Sequence, residues 1–592
     1  MIQISNALLL ILLAAGTALP QAQMSAGDIT GTVTDQSGAV VPGAAVTVTN
    51  TGTGGIRSTE TLSLGTYRFL LLPPGVYELK VEAPGFGALT RASIQVTVGQ
   101  TVVIDAQLTP ASVQQEVVVQ TDTPIVETEK TQQADTITAE RIVNLPLNKR
   151  NFLDLTLLTP GVTDSRGLIA YTLPMLPTSG LSFMGQNSRS NNVSIDGVDN
   201  NDNSVGAVRS TLSQEAVQEF QVNRSNFSAE FGRSSGGVLN IVSKSGTNTW
   251  HGDIFGFLRD QKLDARNPFA FGANGSPIDP PFRRLQAGFT LGGPIKKDKT
   301  FFFLSYEGLR QRESNFVSFL ENTRFFQPTP TQETLINGLA SSPVAALRGL
   351  SPLLRQNLTT SRATFPDTVR VLESNSGVFP FRNNDNNASL RLDHQLRSSD
   401  QMFSRLSFSD VDTIGATQGG LTGPSRGTNY QIQDYAAVFG ETHFLNSAMV
   451  NELRFQFANR DFGALPADRF GPEININGVA LLGRSLYLPS VRDEKRYQWV
   501  DNFLVLSGRH DLKAGVDIQY LPFNTTSEIF LGGRFVFGEG VPLALVLDNA
   551  VGPGTSASIA AALTASGQSA LVPSLSSTIT ALQAYNFGLP LL

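Results

Sequence analysis

The feature that most constrains this chain is a period-two alternation that returns again and again beyond residue 250. Leu453, Phe455 and Phe457 alternate with Arg454 and Gln456. Leu512, Ala514, Val516, Ile518 and Tyr520 alternate with Lys513, Gly515, Asp517 and Gln519. Leu285, Ala287, Phe289 and Leu291 stand against Gln286, Gly288 and Thr290, and Leu390 and Leu392 against Arg391 and Asp393. A period of two sends successive side chains to opposite faces of a strand, so each segment predicts one apolar and one polar face. Two architectures use such strands: a soluble sandwich, and a membrane barrel whose apolar face meets lipid over about 9–11 residues per strand. Alternation by itself leaves both open.

Composition removes several other classes. Charged residues make up 16% of the 592 and hydrophobic residues 41%, which argues against both disorder and a bundle of membrane helices. The net charge of −6 supplies no basic field for nucleic acid. With no Cys, disulfide scaffolds, Cys-ligated zinc and thiol catalysis are excluded. His251, His394, His443 and His510 stand too far apart for a helical metal motif. The apolar run Ala7 to Ala15, uncharged up to Asp28 and followed by Gly16, Thr17, Ala18 and Ala22, predicts a signal peptide over residues 1–22, cut after Ala18 or Ala22. The competing reading is a buried core segment. No later run reaches the roughly 18 apolar residues of a membrane helix.

Residues 28–110 alternate in short runs: Ile29, Gly31, Val33; Tyr67, Phe69; Tyr77, Leu79, Val81; Ile94, Val96, Val98. The pairs Pro42-Gly43, Pro74-Gly75 and Pro84-Gly85 punctuate them, which predicts a small antiparallel sandwich. The strings GTVTDQSGAVVPGAAVTVTN and GTYRFLLLPPGVYELKVEAPGF resemble the carboxypeptidase regulatory-like domain, a transthyretin-like sandwich grouped with carbohydrate-binding-like folds. Tyr67 and Tyr77 are expected to pack that sandwich; stacking on a sugar ring is the alternative.

Residues 113–130 form a polar connector containing QEVVVQTDTPIVET. Three β-branched valines favour an extended chain, and a short apolar strand on a polar leash suits strand addition to a partner's sheet edge. The segment resembles the TonB box of TonB-dependent outer-membrane receptors, with Glu116, Val117, Val118 and Val119 as the matching, partner-binding positions. Over 133–245, short helices are predicted at Ala139 to Asn144 and at Asn151 to Leu158, the second stopped by Pro160-Gly161. A third is predicted at Gln214 to Phe220 behind Ser213, because Val217 and Phe220 are three apart, and a strand at Gly237 to Val242. The strings NLPLNKRNFLDLTLLTPGV, NNVSIDGVDNND and QEAVQEFQVNRSNFSAEFGRSSGGVLNIVSKSGTN resemble the plug domain of that receptor family. Beyond them WHGDIFGFLRDQKLDARNPF and RRLQAGFTLGGPIKKDKTFFFLSYEGLRQ resemble the start of the barrel in Oar-like TonB-dependent transporters, assigned to residues 250–592.

Motifs for chemistry are few. Gly232-Arg233-Ser234-Ser235-Gly236 fits the hydrolase elbow G-x-S-x-G, but that elbow needs a helix after the serine and here a strand is predicted. Asp199, Asn201 and Asn203 match the start of a calcium loop, whereas Ser204 and Ser210 replace its Gly and Glu, so a hydrogen-bonded loop is expected. Asp196, Asp199 and Asp202 touching a cation or a substrate is left open. The expectation is no catalytic residue, no metal, no cofactor and no enzyme.

The 343 residues from Trp250 onward contain about nine credible strands, whereas the resemblance implies a barrel of about 22. Val541 to Leu592, with Asp548 its only charge, reads as helix and loop. The expectation is therefore a mainly β chain: N-terminal sandwich, α+β plug, and a partial transmembrane antiparallel barrel from a C-terminally truncated transporter. The resemblance implies transport of a bulky substrate, in either direction, across the outer membrane, with the sandwich and box in the periplasm. It further implies a TonB-type inner-membrane energising complex, outer-membrane lipid and the barrel-assembly machinery as partners, and no nucleic acid. The substrate is not named; a glycan and a protein are the classes considered. Surface adhesion or carbohydrate binding without transport is the alternative.

Overall fold

The computed structural model describes residues 25–110, 117–120, 132–147, 150–165, 180–204, 206, 208–209, 212–266, 268, 276–507 and 510–591. The expected signal peptide, Glu116 and most of the connector lie outside the described residues.

Strands β1 (Gly27–Thr34), β2 (Ala45–Asn50), β3 (Ile56–Glu60), β4 (Thr66–Leu72), β5 (Gly75–Glu82), β6 (Leu89–Val96), β7 (Thr101–Val103) and β8 (Ala106–Gln107) build the N-terminal sandwich. One sheet runs β4-β1-β7, with β8 also on β1. The other runs β3-β2-β5-β6 and ends in β9 (Val117–Gln120), which adds in parallel to β6. The alternating residues Ile29, Val33, Val46, Val48, Leu79, Val81, Ile94 and Val96 are buried between the two sheets. Gly31 is obligatory, because a Cβ there would lie 1.8 Å from the Ile104 carbonyl oxygen. Both tyrosines are core residues. Tyr67 donates to the Ile104 oxygen at 2.6 Å and Tyr77 to the Pro73 oxygen at 2.8 Å. Burial pushes the Tyr77 hydroxyl up to about 12. Neither ring presents a face for a sugar.

The second unit is a mixed sheet. It contains β10 (Gln133–Thr138), β11 (Val162–Asp164), β12 (Leu181–Phe183), β13 (Asn192–Ile195), β14 (Val198–Asp199), β15 (Val217–Ser225) and β16 (Val238–Ser243). The five-stranded order is β10-β15-β16-β13-β14, and β11 pairs with β12. A helix at Ala139–Asn144 and a 3₁₀ helix at Phe152–Leu158 cover it. The helix expected over Gln214 to Phe220 is corrected: one 3₁₀ turn, Gln214–Ala216, leads into β15. The register shifts between Val217 and Glu219, so a β-bulge, not a helical turn, sets Val217 and Phe220 toward the same core. Between β13 and β14, Asp196 and Gly197 have φ of 54° and 79°, the left-handed pair that a two-residue hairpin of this twist requires.

Residues beyond 250 form one large antiparallel sheet. Its strands are β17 (Ile254–Asp260), β18 (Arg283–Lys296), β19 (Thr300–Val317), β20 (Gly377–Arg397), β21 (Asp400–Ile414), β22 (Thr428–Asn446) and β23 (Met449–Pro466). After the hairpin β24 (Glu473–Ile476) and β25 (Ala480–Gly483) come β26 (Ser490–Ser507), β27 (His510–Tyr520) and β28 (Phe523–Ser527). The order is β17-β18-β19-β20-β21-β22-β23-β26-β27, with β28 also on β26, and β29 (Arg534–Phe537) pairs with β24. Among the described residues β17 and β27 do not pair with each other, so the sheet is open. Its inner face is charged and its outer face apolar. Leu406 and Ile518 are 55% and 57% exposed, while Arg405 and Gln498 on the other face are 2% and 1% exposed. That inversion belongs to strands in lipid around a filled lumen. Phe289 faces Tyr306, Phe408 faces Tyr435, and Tyr497 faces both Phe457 and Tyr520 on the outer surface, which forms the aromatic belt of a membrane interface.

Turns are short at one end of the sheet, Ser398–Ser399 between β20 and β21 for example, and long at the other, where residues 318–376 join β19 to β20. Helices Pro330–Ala340, Ala345–Leu358 and Pro366–Ser374 in that long connection pack with Leu543–Val551, Thr555–Ala565 and Ala581–Asn586 around Leu335, Leu339, Leu354, Leu563 and Leu582. The final stretch is thus helical, as its composition predicts.

Candidate functional site

The mixed sheet sits against the inner face of the large sheet, and charged groups line the seam. Asp196, at the tip of the β13–β14 hairpin, accepts Arg391 Nη1 at 3.0 Å and Arg405 Nε at 2.7 Å. Its two oxygens also accept the Ser243 amide and hydroxyl at 2.9 and 2.8 Å. Burial alone would raise this carboxyl; Arg391 and Arg405 outweigh it and hold it below the usual range.

Along β14 the arrangement repeats. Asp199 accepts Arg496 Nη1 at 2.6 Å and Arg233 Nη1 at 2.8 Å. The fully buried Arg496 also donates to the carbonyls of Asp199 and Asn201, at 2.8 and 2.6 Å. Asp202 faces Arg492 at 3.4 Å and Arg460 at 3.8 Å, and these two cations outweigh burial to lower it as well. Charge also runs the other way, since Arg209 pairs with Asp434 of β22 at 3.2 Å.

A second cluster closes the β17–β19 side. Arg150 bridges Glu215 at 2.8 Å and Glu307 of β19 at 3.2 Å, and its guanidinium lies 4.3 and 4.8 Å from the ring centres of Phe255 and Phe257. Ser213 and Gln286 complete the Glu307 carboxylate, each at 2.6 Å. Buried charges are costly unless paired and hydrogen-bonded. Here most of them are, and the seam is held by ion pairs rather than by an apolar core.

The three aspartates singled out from the sequence therefore come together, but their partners are arginines. The calcium-loop alternative is replaced by ion pairs, and among the described residues no group of three or more acids and histidines could hold a metal. Ser234 donates to the carbonyls of Ser190 and Gly237, both at 3.0 Å, with β16 following it. Arg391 and Arg454 appear in the alternation as inner-face residues; Arg405, Arg460, Arg492 and Arg496 were not singled out. Arg391 and Arg454 stand between apolar residues, whereas Arg405, Arg460, Arg492 and Arg496 each have a polar neighbour, so alternation alone does not mark these four. Of the box, only the backbone of Val117 to Gln120 is described, paired with Leu89 to Ala92 of β6.

An inward-charged, outward-apolar antiparallel sheet wrapped on a plug-like domain defines an outer-membrane β-barrel protein. Residues 242–572 match the family described as outer membrane beta barrel domain, and residues 28–109 the carboxypeptidase regulatory-like domain. The chain belongs to the outer membrane beta barrel domain family and is a protein of the outer membrane. It is similar to the TonB-dependent transporter Oar of Myxococcus xanthus, 30% identical over 292 residues, covering 47% of this chain and 26% of that one. The chain thus spans about a quarter of the length of this curated relative. Among solved structures, the outer membrane transporter YddB of Escherichia coli matches with a TM-score of 0.43 at 12% identity, over 66% of this chain and 48% of that one. The siderophore receptor PirA of Acinetobacter baumannii matches with a TM-score of 0.39 at 14% identity, over 66% and 48%.

Proposed function

We propose that the chain serves TonB-dependent transport of a bulky substrate, by uptake or export, through a plugged β-barrel. The ion-pair seam carries this reading. A domain held in a lumen by Asp196, Asp199 and Asp202 against Arg391, Arg405, Arg496, Arg492 and Arg460 closes the pore at rest. Charges taken from water are expensive to bury, so the same pairs are readily given back to water once the seam is opened. Opening needs work from outside, and the box Glu116, Val117, Val118 and Val119 is the handle, bound by a TonB-type inner-membrane energising complex through strand addition. Residues 1–22 direct export and are removed, residues 133–245 act as the plug, and the barrel-assembly machinery inserts the strands from 250 onward into outer-membrane lipid.

The test is removal of Gln115 to Gln120 from the transporter. Transport stops while membrane insertion persists; unchanged transport refutes the reading and leaves adhesion. Val118→Pro, which removes a backbone donor, should abolish capture by the energising protein's periplasmic domain in a pull-down.

A further inference from the structure

The box strand has two edges, and the structure uses one. β9 pairs in parallel with β6, Leu89 opposite Val117, Thr90 opposite Val118, Arg91 opposite Val119 and Ala92 opposite Gln120. In the sheet β3-β2-β5-β6-β9 it is the last strand, so among the described residues its outer edge has no partner. The sandwich is itself fastened. The amide of Val98, two residues beyond the end of β6, donates to the buried carboxylate of Glu219 in β15. Arg68 bridges Asp28 and Asp511 of β27, and the Arg57 guanidinium lies 3.7 Å from the ring centre of Phe444 in β22. Ala26, Leu70 and Leu71 pack with Phe444, Val450 and Leu504. All these contacts lie at the short-turn end, the periplasmic end by the usual asymmetry of such barrels.

We infer that the sandwich is a presenting platform: it holds the box strand extended at its sheet edge, and the energising partner adds its own strand to the free outer edge of β9, making one sheet through both proteins. Three observations support this over a free leash. An extended strand already paired on one side has lost its backbone freedom before the partner arrives, which lowers the cost of the encounter. An unprotected edge is what a strand-adding partner takes. Finally β6 pairs with β9 and its chain runs on through Val98 to the Glu219 contact in the plug's central sheet, so box, sandwich and plug are linked through one strand.

This inference rests on the box assignment above, and the experiment separates the two. The chain has no Cys, so Arg91→Cys with Val119→Cys introduces the only thiols. Residues opposite each other on paired strands are within disulfide reach. The full chain, solubilised in detergent, is titrated with a purified periplasmic domain of a TonB-type protein, oxidised and reduced. The expected result is that the disulfide forms and that the locked protein binds within about threefold of the reduced one, or more tightly. Failure of the disulfide to form overturns the platform, as does weakening beyond about threefold that reduction restores, which would mean the partner must strip β9 from β6. Deletion of Gln115 to Gln120 is run beside it: retained binding there removes the box assignment, whatever the disulfide shows.

Discussion

Asp196 and Arg405 meet at 2.7 Å through one carboxylate oxygen and the guanidinium Nε, the first on a hairpin tip of the mixed sheet and the second on the inner face of β21. The residues are 209 apart in sequence, and both are almost fully buried. The pair is a contact between the mixed sheet and the large sheet rather than a feature of either.

Asp196→Ala should loosen the plug more than any surface substitution. It leaves Arg405 buried without its carboxylate, a loss of about 3–5 kcal/mol for such pairs. Limited proteolysis of the plug in the membrane-inserted protein measures it. The double variant Asp196→Ala with Arg405→Leu should recover part of the loss; a double variant as damaged as the sum would refute the pairing.

Docking of the sandwich on the mixed sheet should weaken as pH rises. Burial pushes the Glu219 carboxyl up to about 7, from an ordinary value of 4.5, against the lowering effect of the Val98 amide. A raised value in the docked state means the proton favours docking. That contribution is complete below pH 4.5 and is lost as pH rises through about 7, a span of about 3 kcal/mol. Hydrogen exchange at Val98 between pH 5 and pH 8 should show it, and Glu219→Gln should keep the amide protected throughout.

Leu406→Arg places a cation on the lipid face beside the belt residue Phe408 and should cost about 1 kcal/mol, the value for an arginine near the interface. Urea unfolding from lipid vesicles is the measurement, and an unchanged midpoint would remove this face from the membrane.

Gly31→Ala should destabilise the sandwich by about 1–3 kcal/mol or more, because its methyl group enters the Ile104 carbonyl. Protease resistance of the N-terminal domain in the intact chain reads the effect.

Much of the fold was legible because period two survives in the sequence wherever strands have unlike faces. The runs around Leu79, Leu453 and Val516 give their faces directly. Val217 and Phe220 misled because a bulge offsets the alternation, and a bulge leaves a three-residue spacing that imitates a helix. The Asp196-Gly197 pair between Ile195 and Val198 is itself a hairpin signal, and the structure makes that turn. The seam was not legible: Asp199 and Arg496 are joined by strand register accumulated over 297 residues, which no local pattern encodes.

Gln332 and Gln583 exchange side-chain amide hydrogen bonds at 2.9 and 3.0 Å, and both are fully buried among the helices at the long-connection end. One lies between β19 and β20, the other after the last strand. The pair therefore joins two segments 251 residues apart into one helical cap. The cap packs only when both segments are present, and a contact of such sequence separation forms more slowly than a local one. Truncation before residue 583 would leave the buried Gln332 side chain without the Gln583 amide.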